Sequence, residues 1–399
     1  MSCVKRKRQV GNEQMSRTAV LASVQQLWKH LGLKDGFVEK KLVLSGDPDK
    51  VVQSSFRVGQ LAQASTALVG LAASAFHGRR KNAGDTGDDR VGERLLENAP
   101  EVKVDARHAV LCFASEAYNL VDGELPRDIW DDLAGLYATK DGHVRIHTNF
   151  PHHRQGILDL LKFVDIDTSR GKRAAQLELN KDEDVGTLRG LACECDVFLQ
   201  SYRPASLEER GFGPVDLARM RPGIVVATLR GYGWDGPWAK KRAFDSLVQS
   251  ATGLNVAEGE AWSRSQNSGT TGLRPLPIQC LDHAAGQLLA FGIIAALYKT
   301  TTEGGSWEVR VSLAGVGQWL RDMGQLGAED AFKGETMPAR QAPMVEEVSN
   351  LSREYVVRNP AGKSPRTLTA LKSAICLDNV PDIVAEVPGS LNCDSIKWL

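Results

Sequence analysis

Apolar residues recur at helical spacing in three stretches of the chain. Residues 17–45 and residues 56–75 place apolar side chains three and four positions apart, which predicts two helices. Residues 284–297 consist of Ala, Leu, Ile and Gly with a single Gln and a single Phe, and predict a buried helix. No apolar run reaches the length that a bilayer requires, so we predict no membrane-spanning segment.

Short apolar or alternating runs between these stretches predict strands. They lie at residues 101–105, 143–148, 196–200, 223–230 and 307–313. Helical patterns at 183–191 and 217–220 alternate with them, and Asp141-Gly142 signals a hairpin turn. This alternation predicts an α/β fold with a mainly parallel, Rossmann-like sheet, in which ligands bind beyond the carboxyl ends of the strands.

The order of helix, polar loop and strand occurs twice, which predicts a divergent internal repeat. The first copy ends in EVKVDARHAVLCF (101–113) and the second in WEVRVSLAGVGQWL (307–320). We therefore divide the chain into residues 1–165, a degenerate half, and residues 166–399, a catalytic half. The alternative is that any two Ala-rich helices followed by strands look alike.

The two copies differ in their acidic residues. When residues 295–298 are laid on residues 72–75, Asp282 falls near Gly59. Residues 54–61 contain no Asp or Glu. The first copy is therefore predicted to have the scaffold of the second without its carboxylate.

Composition narrows the partners and the compartment. Lys+Arg and Asp+Glu both number 49, so no net field favours nucleic acid or an acidic membrane surface. Seven Cys, an odd number, and an opening without a signal-peptide pattern favour a reducing, cytoplasmic setting. His143 and His147 would lie on one face of a strand about 13 Å apart, which is too far to share one zinc ion. We predict no metal site.

One carboxylate, Asp282, directly precedes the long apolar helix. An Asp at this place can cap the helix, and the partial positive charge of the helix N-terminus keeps it ionised. An ionised carboxylate that faces a pocket is also a ready nucleophile, and N–H groups around Asp282 and Gly286 are expected to stabilise an oxyanion. The alternative is that Asp282 is a helix cap and nothing more.

Five sequence segments, in a fixed order, contain or flank Asp282. They are SYRPASLEERGFGPVDL, RPGIVVATLRGYGWDGPW, FDSLVQSATGL, LDHAAGQLLAFGIIAALY and GGSWEVRVSL. In this order they resemble the class III CoA-transferases, the CaiB/BaiF family, whose catalytic Asp lies just before such an Ala-rich helix. The resemblance implies that Asp282 is the acyl-accepting carboxylate and that the chain forms a homodimer, with a smaller second domain.

The resemblance also implies a binding site for coenzyme A as the acyl-CoA co-substrate. Arg203 and Arg230 both follow predicted strand ends, where guanidinium groups suit phosphates. The family's CoA site maps onto Lys172, Arg173, Ser201, Tyr202, Arg230 and Gly231, and we add Arg203 because of its place after a strand end. A small carboxylic acid would be the second substrate.

Two departures from the family pattern leave other functions open. No VLDL-type strand with an Ala-Gly-Pro turn precedes RGKRAAQ (170–176), and no run of glycines follows Leu313. The chain is therefore either a CoA-transferase or a catalytically degenerate protein that binds CoA. An α-methylacyl-CoA racemase is the other alternative, but Phe244 occupies the position of the racemase His.

A GxGxxG pattern at Gly231 to Gly236 suggests a dinucleotide site. Such a site needs a helix to begin at the glycines, so that its N-terminus meets the pyrophosphate. Pro237 and Trp238 follow instead. We predict a loop.

Overall fold

The computed structural model describes the chain as an α/β protein with two compact units. The first unit comprises Met1–Phe113, Ala192–Thr336 and Ser373–Pro381, and the second, smaller unit comprises Ala114–Leu191, Met337–Lys372 and Asp382–Leu399. The residues that the structure describes are 2–32, 36–81, 97–126, 135–138, 143–146, 176–202, 204–267, 272–358, 366–380 and 387–388.

The described α-helices alternate with strands along most of the chain. They are α1 (Ser2–Trp28), α2 (Phe37–Lys41), α3 (Val58–Lys81), α4 (Ala106–Cys112), α5 (Asp182–Glu194), α6 (Pro214–Met220), α7 (Asp245–Ala251), α8 (Leu254–Ser265), α9 (Cys280–Thr302), α10 (Leu313–Asp322) and α11 (Glu346–Leu351). The predicted helices at 56–75, 183–191, 217–220 and 284–297 are confirmed as α3, α5, α6 and α9.

The described strands form four small sheets. The strands are β1 (Leu42–Ser45), β2 (Val102–Asp105), β3 (Leu120–Val121), β4 (Gly135–Ala138), β5 (His143–Ile146), β6 (Val197–Gln200), β7 (Val225–Arg230), β8 (Trp307–Ser312), β9 (Ser352–Arg358), β10 (Arg366–Leu371), β11 (Ile375–Leu377) and β12 (Val387–Pro388). Their orders are β1-β2-β11, β12-β9-β10-β3, β4-β5 and β6-β7-β8.

The α/β class is confirmed, but the described strands do not form one mainly parallel sheet. Sheet β6-β7-β8 is parallel throughout, whereas β11 is antiparallel to β2, and β10 is antiparallel to both β9 and β3. Only seven residues separate β9 from β10, and a connection that short cannot make a parallel crossover. The predicted hairpin before His143 is confirmed, since β4 and β5 pair antiparallel.

The prediction of one helix over residues 17–45 is wrong at its C-terminal end. Helix α1 passes into a 3-10 turn that ends at Gly32, whose φ of 66° is in the left-handed region. After α2, residues 42–45 form β1, which pairs parallel with β2. The β-branched and leucine side chains of that segment favour a strand once β2 offers an edge.

Helix α9 is the core helix of the first unit. It packs against α3 and against strands β7 and β8. By length and composition α9 could span a membrane, so our statement that no apolar run reaches that length is wrong. The helix is longer than predicted, because it extends beyond residues 284–297 at both ends. Core helices pass the same test, and α9 buries Ala284, Leu289, Phe291 and Ala295 inside the unit.

The predicted boundary at residues 165 and 166 lies outside the described residues. Each compact unit draws segments from both sides of that boundary. The division of the chain into two repeated halves therefore stays a prediction.

Candidate functional site

Asp282 lies in the first turn of α9 with its side chain exposed. The N-cap position belongs to Gln279, and that residue makes no side-chain capping bond. Asp282 is therefore three residues inside the helix, and our expectation that it serves as the N-cap is wrong. The helix begins before the apolar run, because Cys280 and Leu281 are themselves buried and pack in the core.

A second carboxylate, Asp245, caps α9 instead. It is the first residue of α7 and is fully buried. Its Oδ2 accepts hydrogen bonds from the backbone N–H of Leu281 at 2.7 Å and of Asp282 at 3.0 Å. These are two of the N–H groups that an α-helix leaves without an internal partner. The sequence did not predict this role for Asp245, because no local pattern links the residue to a helix turn 37 positions later.

The environment of Asp245 shifts its protonation equilibrium. Burial, and after it the neighbouring Asp282 carboxylate, raise the pKa of this carboxyl from 3.8 to about 7. The hydrogen bonds from Asp282, Gln249 and Leu281 act in the opposite direction but are outweighed. The buried Cys280 thiol beside the pair also has a raised pKa, mainly through burial. Two carboxyl groups in different environments therefore share this end of α9.

The expected oxyanion donors around Asp282 are already occupied. The N–H groups of Leu281 and Asp282 donate to Asp245, and that of His283 donates to the carbonyl oxygen of Gln279 at 3.3 Å. Gly286 lies within α9, where its N–H belongs to the helix. The expectation that these groups stabilise an oxyanion is therefore wrong.

The residues beside the two carboxylates bear on the racemase alternative. Phe244 occupies the N-cap position of α7, directly before Asp245. The ring of His283 stacks on Phe113, with 5.4 Å between ring centroids and an angle of 24° between the planes. A phenyl ring cannot accept a proton, and the imidazole of His283 is engaged with a ring of the first half of the chain.

The carboxyl edge of sheet β6-β7-β8 brings several predicted binding residues together. Ser201 and Tyr202 follow β6, Arg230 ends β7 and Gly231 follows it, and the two strands pair in parallel register. The side chains of Ser201 and Tyr202 are exposed. Lys172, Arg173 and Arg203, the other residues predicted to bind CoA, lie outside the described residues.

The N-terminal end of α9 points toward this same edge. A Cβ added at Gly292 would lie 2.5 Å from Cγ1 of Val309, so helix and strand touch there. Asp282 lies ten residues before Gly292, about 15 Å along the helix axis. Ser312, the last residue of β8, lies about 10 Å beyond Val309. Because only four residues (303–306) separate α9 from β8, the chain reverses there and Asp282 lies at the end of α9 nearest the carboxyl ends of the strands, where ligands of parallel sheets bind.

Arg230 is largely buried and partly committed to protein partners. Its Nη2 donates to Oε1 of Glu208 at 3.2 Å, and its guanidinium lies 5.0 Å from the ring centre of Trp234. Its Nε is buried and has no hydrogen-bond partner. One of the five N–H donors of this guanidinium is therefore committed to Glu208. Gly231 approaches Ala243 closely, since a Cβ at Gly231 would lie 2.0 Å from that of Ala243.

The GxGxxG pattern does not begin a helix. Residues 231–241 form bends and turns, and Gly233 and Gly236 have φ values of 87° and 84°. The loop that we predicted is confirmed. Among the described residues, no group of three or more His, Cys, Asp or Glu side chains is arranged to hold a metal ion.

Residues 163–346 match CoA-transferase family III. The chain is 28% identical to a probable fatty acyl-CoA transferase of Mycobacterium tuberculosis over 153 residues, covering 38% of this chain and 37% of that protein. It is 28% identical to an acetyl-CoA:oxalate CoA-transferase of Acetobacter aceti, covering 36% of each. It is also 28% identical to the mouse alpha-methylacyl-CoA racemase, covering 34% of each.

The chain thus spans just over a third of the length of the curated relatives that it matches. The matched segment contains strands β6 to β8 and helix α9 with Asp282. The similarity extends to transferases and to a racemase, so it leaves the reaction open. Over residues 163–346, this chain is therefore similar to CoA-transferase family III, and it is 32% identical over 140 residues to a CaiB/baiF CoA-transferase family protein of Caenorhabditis elegans.

Proposed function

We propose that this protein moves CoA from an acyl-CoA thioester to a carboxylic acid, with Asp282 as the acyl-accepting nucleophile. The observation that carries the proposal is the position of Asp282. It is an exposed residue on the first turn of α9, in a segment that matches a CoA-transferase family, at the end of the helix nearest the edge where parallel sheets bind ligands. Arg230 at the same edge carries a guanidinium, a group that suits a phosphate of CoA.

The first half of the reaction exchanges the acyl group and CoA on Asp282. A carboxylate oxygen of Asp282 attacks the thioester carbonyl, the C–S bond breaks, and a mixed anhydride and CoA thiolate result. The thiolate then attacks the aspartyl carbonyl and expels the donor acid, which leaves an aspartyl-CoA thioester. Each intermediate is about as reactive as the one before, so dividing the transfer in this way lowers each barrier.

The second half repeats this exchange with the acceptor acid. Its carboxylate attacks the aspartyl-CoA thioester, which gives a new anhydride and releases the thiolate. The thiolate attacks the acceptor's acyl carbon, forms the product thioester and restores the Asp282 carboxylate. The chain supplies an exposed residue, Asp282, as the nucleophile, and Asp245 accepts a hydrogen bond from its backbone N–H.

Trapping tests the proposal directly. The protein is incubated with a panel of acyl-CoAs and then with hydroxylamine, which converts an aspartyl anhydride or thioester into a hydroxamate. The tryptic peptide 265–299 contains Asp282 as its single side-chain carboxyl group, so mass spectrometry of that peptide assigns the adduct. We expect a hydroxamate in the wild type and none in Asp282→Asn. Absence of the adduct with every acyl-CoA would contradict the proposal.

The racemase alternative requires two proton-transfer groups on opposite sides of the α-carbon. Because Phe244 precedes Asp245, we expect no exchange of the α-proton of a 2-methylacyl-CoA in deuterated water. Rapid incorporation of deuterium, measured by mass spectrometry, would favour the racemase. A thermal shift with CoA but no transfer would favour a degenerate binding protein. A homodimer in the cytoplasm remains our prediction for the assembly and location.

A further inference from the structure

We propose that Asp245 and Gln249, one turn apart on α7, are positioning residues that hold Asp282 for attack. The inference rests on the proposed function for its consequence in catalysis. The contacts that motivate it concern only the protein. We call these two residues the α7 anchor.

The α7 anchor uses all of its polar side-chain atoms to fix the start of α9. Asp245 accepts from the N–H groups of Leu281 and Asp282 through Oδ2, and from the Gln249 amide through Oδ1. The amide oxygen of Gln249 accepts from the N–H of Leu276 at 3.1 Å. The anchor therefore holds both the loop that leads into α9 and the first turn that carries Asp282.

Burial of the α7 anchor costs hydration free energy, so we expect the arrangement to serve a function. Asp245 is 0% exposed and Gln249 is 1% exposed. A buried carboxylate loses much hydration free energy, and an exposed Ser, Thr or Asn at position 279 could have capped the helix at lower cost. The N–H that receives the second bond belongs to Asp282 itself, whose side chain is exposed. The backbone N–H of the proposed nucleophile is thus held by a buried carboxylate, while the residue itself is exposed.

The charge of the α7 anchor also acts on Asp282. Asp282 on α9 acts on Asp245 directly, and Asp245 acts on the buried Cys280 of the same helix; Glu258 on α8 acts on Cys280 and is not among the groups that shift Asp245. From α10, Arg321 donates to the carbonyl oxygen of Thr252, at the other end of α7. Since burial and Asp282 raise the pKa of Asp245 to about 7, this group changes its charge near neutral pH. Ionisation of Asp245 should then disfavour the negative charge on Asp282.

Chemical labelling of Asp282 tests the inference without a substrate. A water-soluble carbodiimide activates the carboxyl group, glycine amide displaces the urea to form an amide, and the peptide 265–299 reports Asp282 alone. In the wild type we expect a labelling rate with an inflection near pH 7, across which it changes about tenfold relative to Asp245→Asn. In Gln249→Met, we expect the inflection to persist and the rate to change.

Glu258→Gln is the matched control. Glu258 is also a fully buried carboxylate with a pKa raised by burial, but it accepts from Ser54 and Ser55 and not from α9. We expect its replacement to leave the Asp282 labelling profile unchanged. If Asp245→Asn does not fold, the rate change in Gln249→Met tests the same anchor.

Kinetics then separate the two proposals. We expect Asp245→Asn to lower kcat for CoA transfer about a hundredfold with little change in KM, because a displaced nucleophile loses its near-attack geometry. If the wild type transfers CoA but the labelling profiles of wild type, Asp245→Asn and Gln249→Met coincide, the anchor inference is wrong. If no acyl-CoA is turned over but the profiles differ, the proposed function is wrong and the anchor stands.

Discussion

Two of the long helices of the first unit, α3 and α9, make the same kind of contact with the strand that follows them. A Cβ added at Gly70 of α3 would lie 2.5 Å from Cγ1 of Val102, and one added at Gly292 of α9 would lie 2.5 Å from Cγ1 of Val309. In each case the N-cap of the next helix comes three residues after that valine. Asp105 caps α4 and Ser312 caps α10.

The two regions differ where the long helix begins. With Gly70 laid on Gly292, Asp282 falls on Gln60, which is buried and donates to Oδ1 of Asp49 at 2.9 Å. The sequence alignment placed Asp282 one residue earlier, near Gly59, and both alignments leave the first copy without a carboxylate at this point. The shared scaffold supports the predicted internal repeat.

Each helix start also receives a carboxylate from an earlier segment, but its charge is balanced differently. Asp49 accepts from Arg57 at 2.5 Å and from Ser16 at 2.8 Å, so a guanidinium compensates it. Asp245 accepts from backbone N–H groups and a neutral amide. An ion pair suits a structural contact, whereas a buried carboxylate without a cation is sensitive to a neighbouring charge. The second region is therefore the one suited to chemistry.

The largest difference in activity should be between variants of Asp282 and variants of Gln60, which occupies the corresponding position of α3. We expect Asp282→Asn to lower CoA transfer by roughly a thousandfold or more, because an amide cannot form the anhydride. The free energy of unfolding should change little, since Asp245 and not Asp282 caps α9. Gln60→Ala is the matched control, and its transfer rate per folded molecule should equal that of the wild type. Wild-type turnover in Asp282→Asn would contradict the nucleophile assignment.

The next effect is a pH dependence of stability that should appear at Asp245. Its folded pKa, about 7, lies above the ordinary 3.8, so its stabilisation is complete below about pH 3.8 and is lost as pH rises through 7. The free energy of unfolding of the wild type should therefore fall relative to that of Asp245→Asn between about pH 4 and pH 8. Urea denaturation at several pH values measures this difference, and a constant difference would contradict it.

Asp49→Asn provides the comparison in the first copy. It removes the partner of a half-buried guanidinium, Arg57, and we expect a loss of about 1–3 kcal/mol at neutral pH.

The shared helix–strand contacts can be tested at the two glycines. Gly70→Ala and Gly292→Ala should each lower the free energy of unfolding by about 1–3 kcal/mol, since the new methyl group would overlap a valine. Gly190→Ala on α5 is the control, because nothing lies within 4 Å of the added Cβ, and it should stabilise by about 0.5–1 kcal/mol. A large loss at one glycine and none at the other would break the equivalence of the two regions.

The smallest effects concern the binding of CoA by Arg230 at the end of β7. We propose no corresponding site in the described part of the first copy. Arg230→Ala should weaken CoA binding about tenfold. Glu208→Gln should strengthen CoA binding by no more than about fivefold, because the substitution releases Arg230 from its ion pair with the exposed Glu208. Calorimetric titration with CoA measures both, and unchanged affinity in Arg230→Ala would remove the phosphate assignment.

The sequence alone determined most of the local elements. The run of Ala, Leu and Ile predicted α9, because such residues lose little side-chain freedom in a helix and gain by burial. Apolar runs rich in valine predicted β7 and β8, because β-branched side chains pack well on a pleated surface. Residues 42–45 show the limit of local patterns, since their strand depends on pairing with β2, about 60 residues later.

The chemistry of the site was only partly within reach of the sequence. The family motif and the helix pattern identified Asp282, because both are short-range features. Tertiary structure alone decided that Asp245 caps the helix, that Gln249 holds the preceding loop, and that Glu208 occupies part of Arg230. Such partners depend on which distant segments the packed core brings within hydrogen-bond distance, about 3 Å. Local propensity does not predict these partners, because the burial and hydrogen bonding of a carboxylate depend on its folded surroundings.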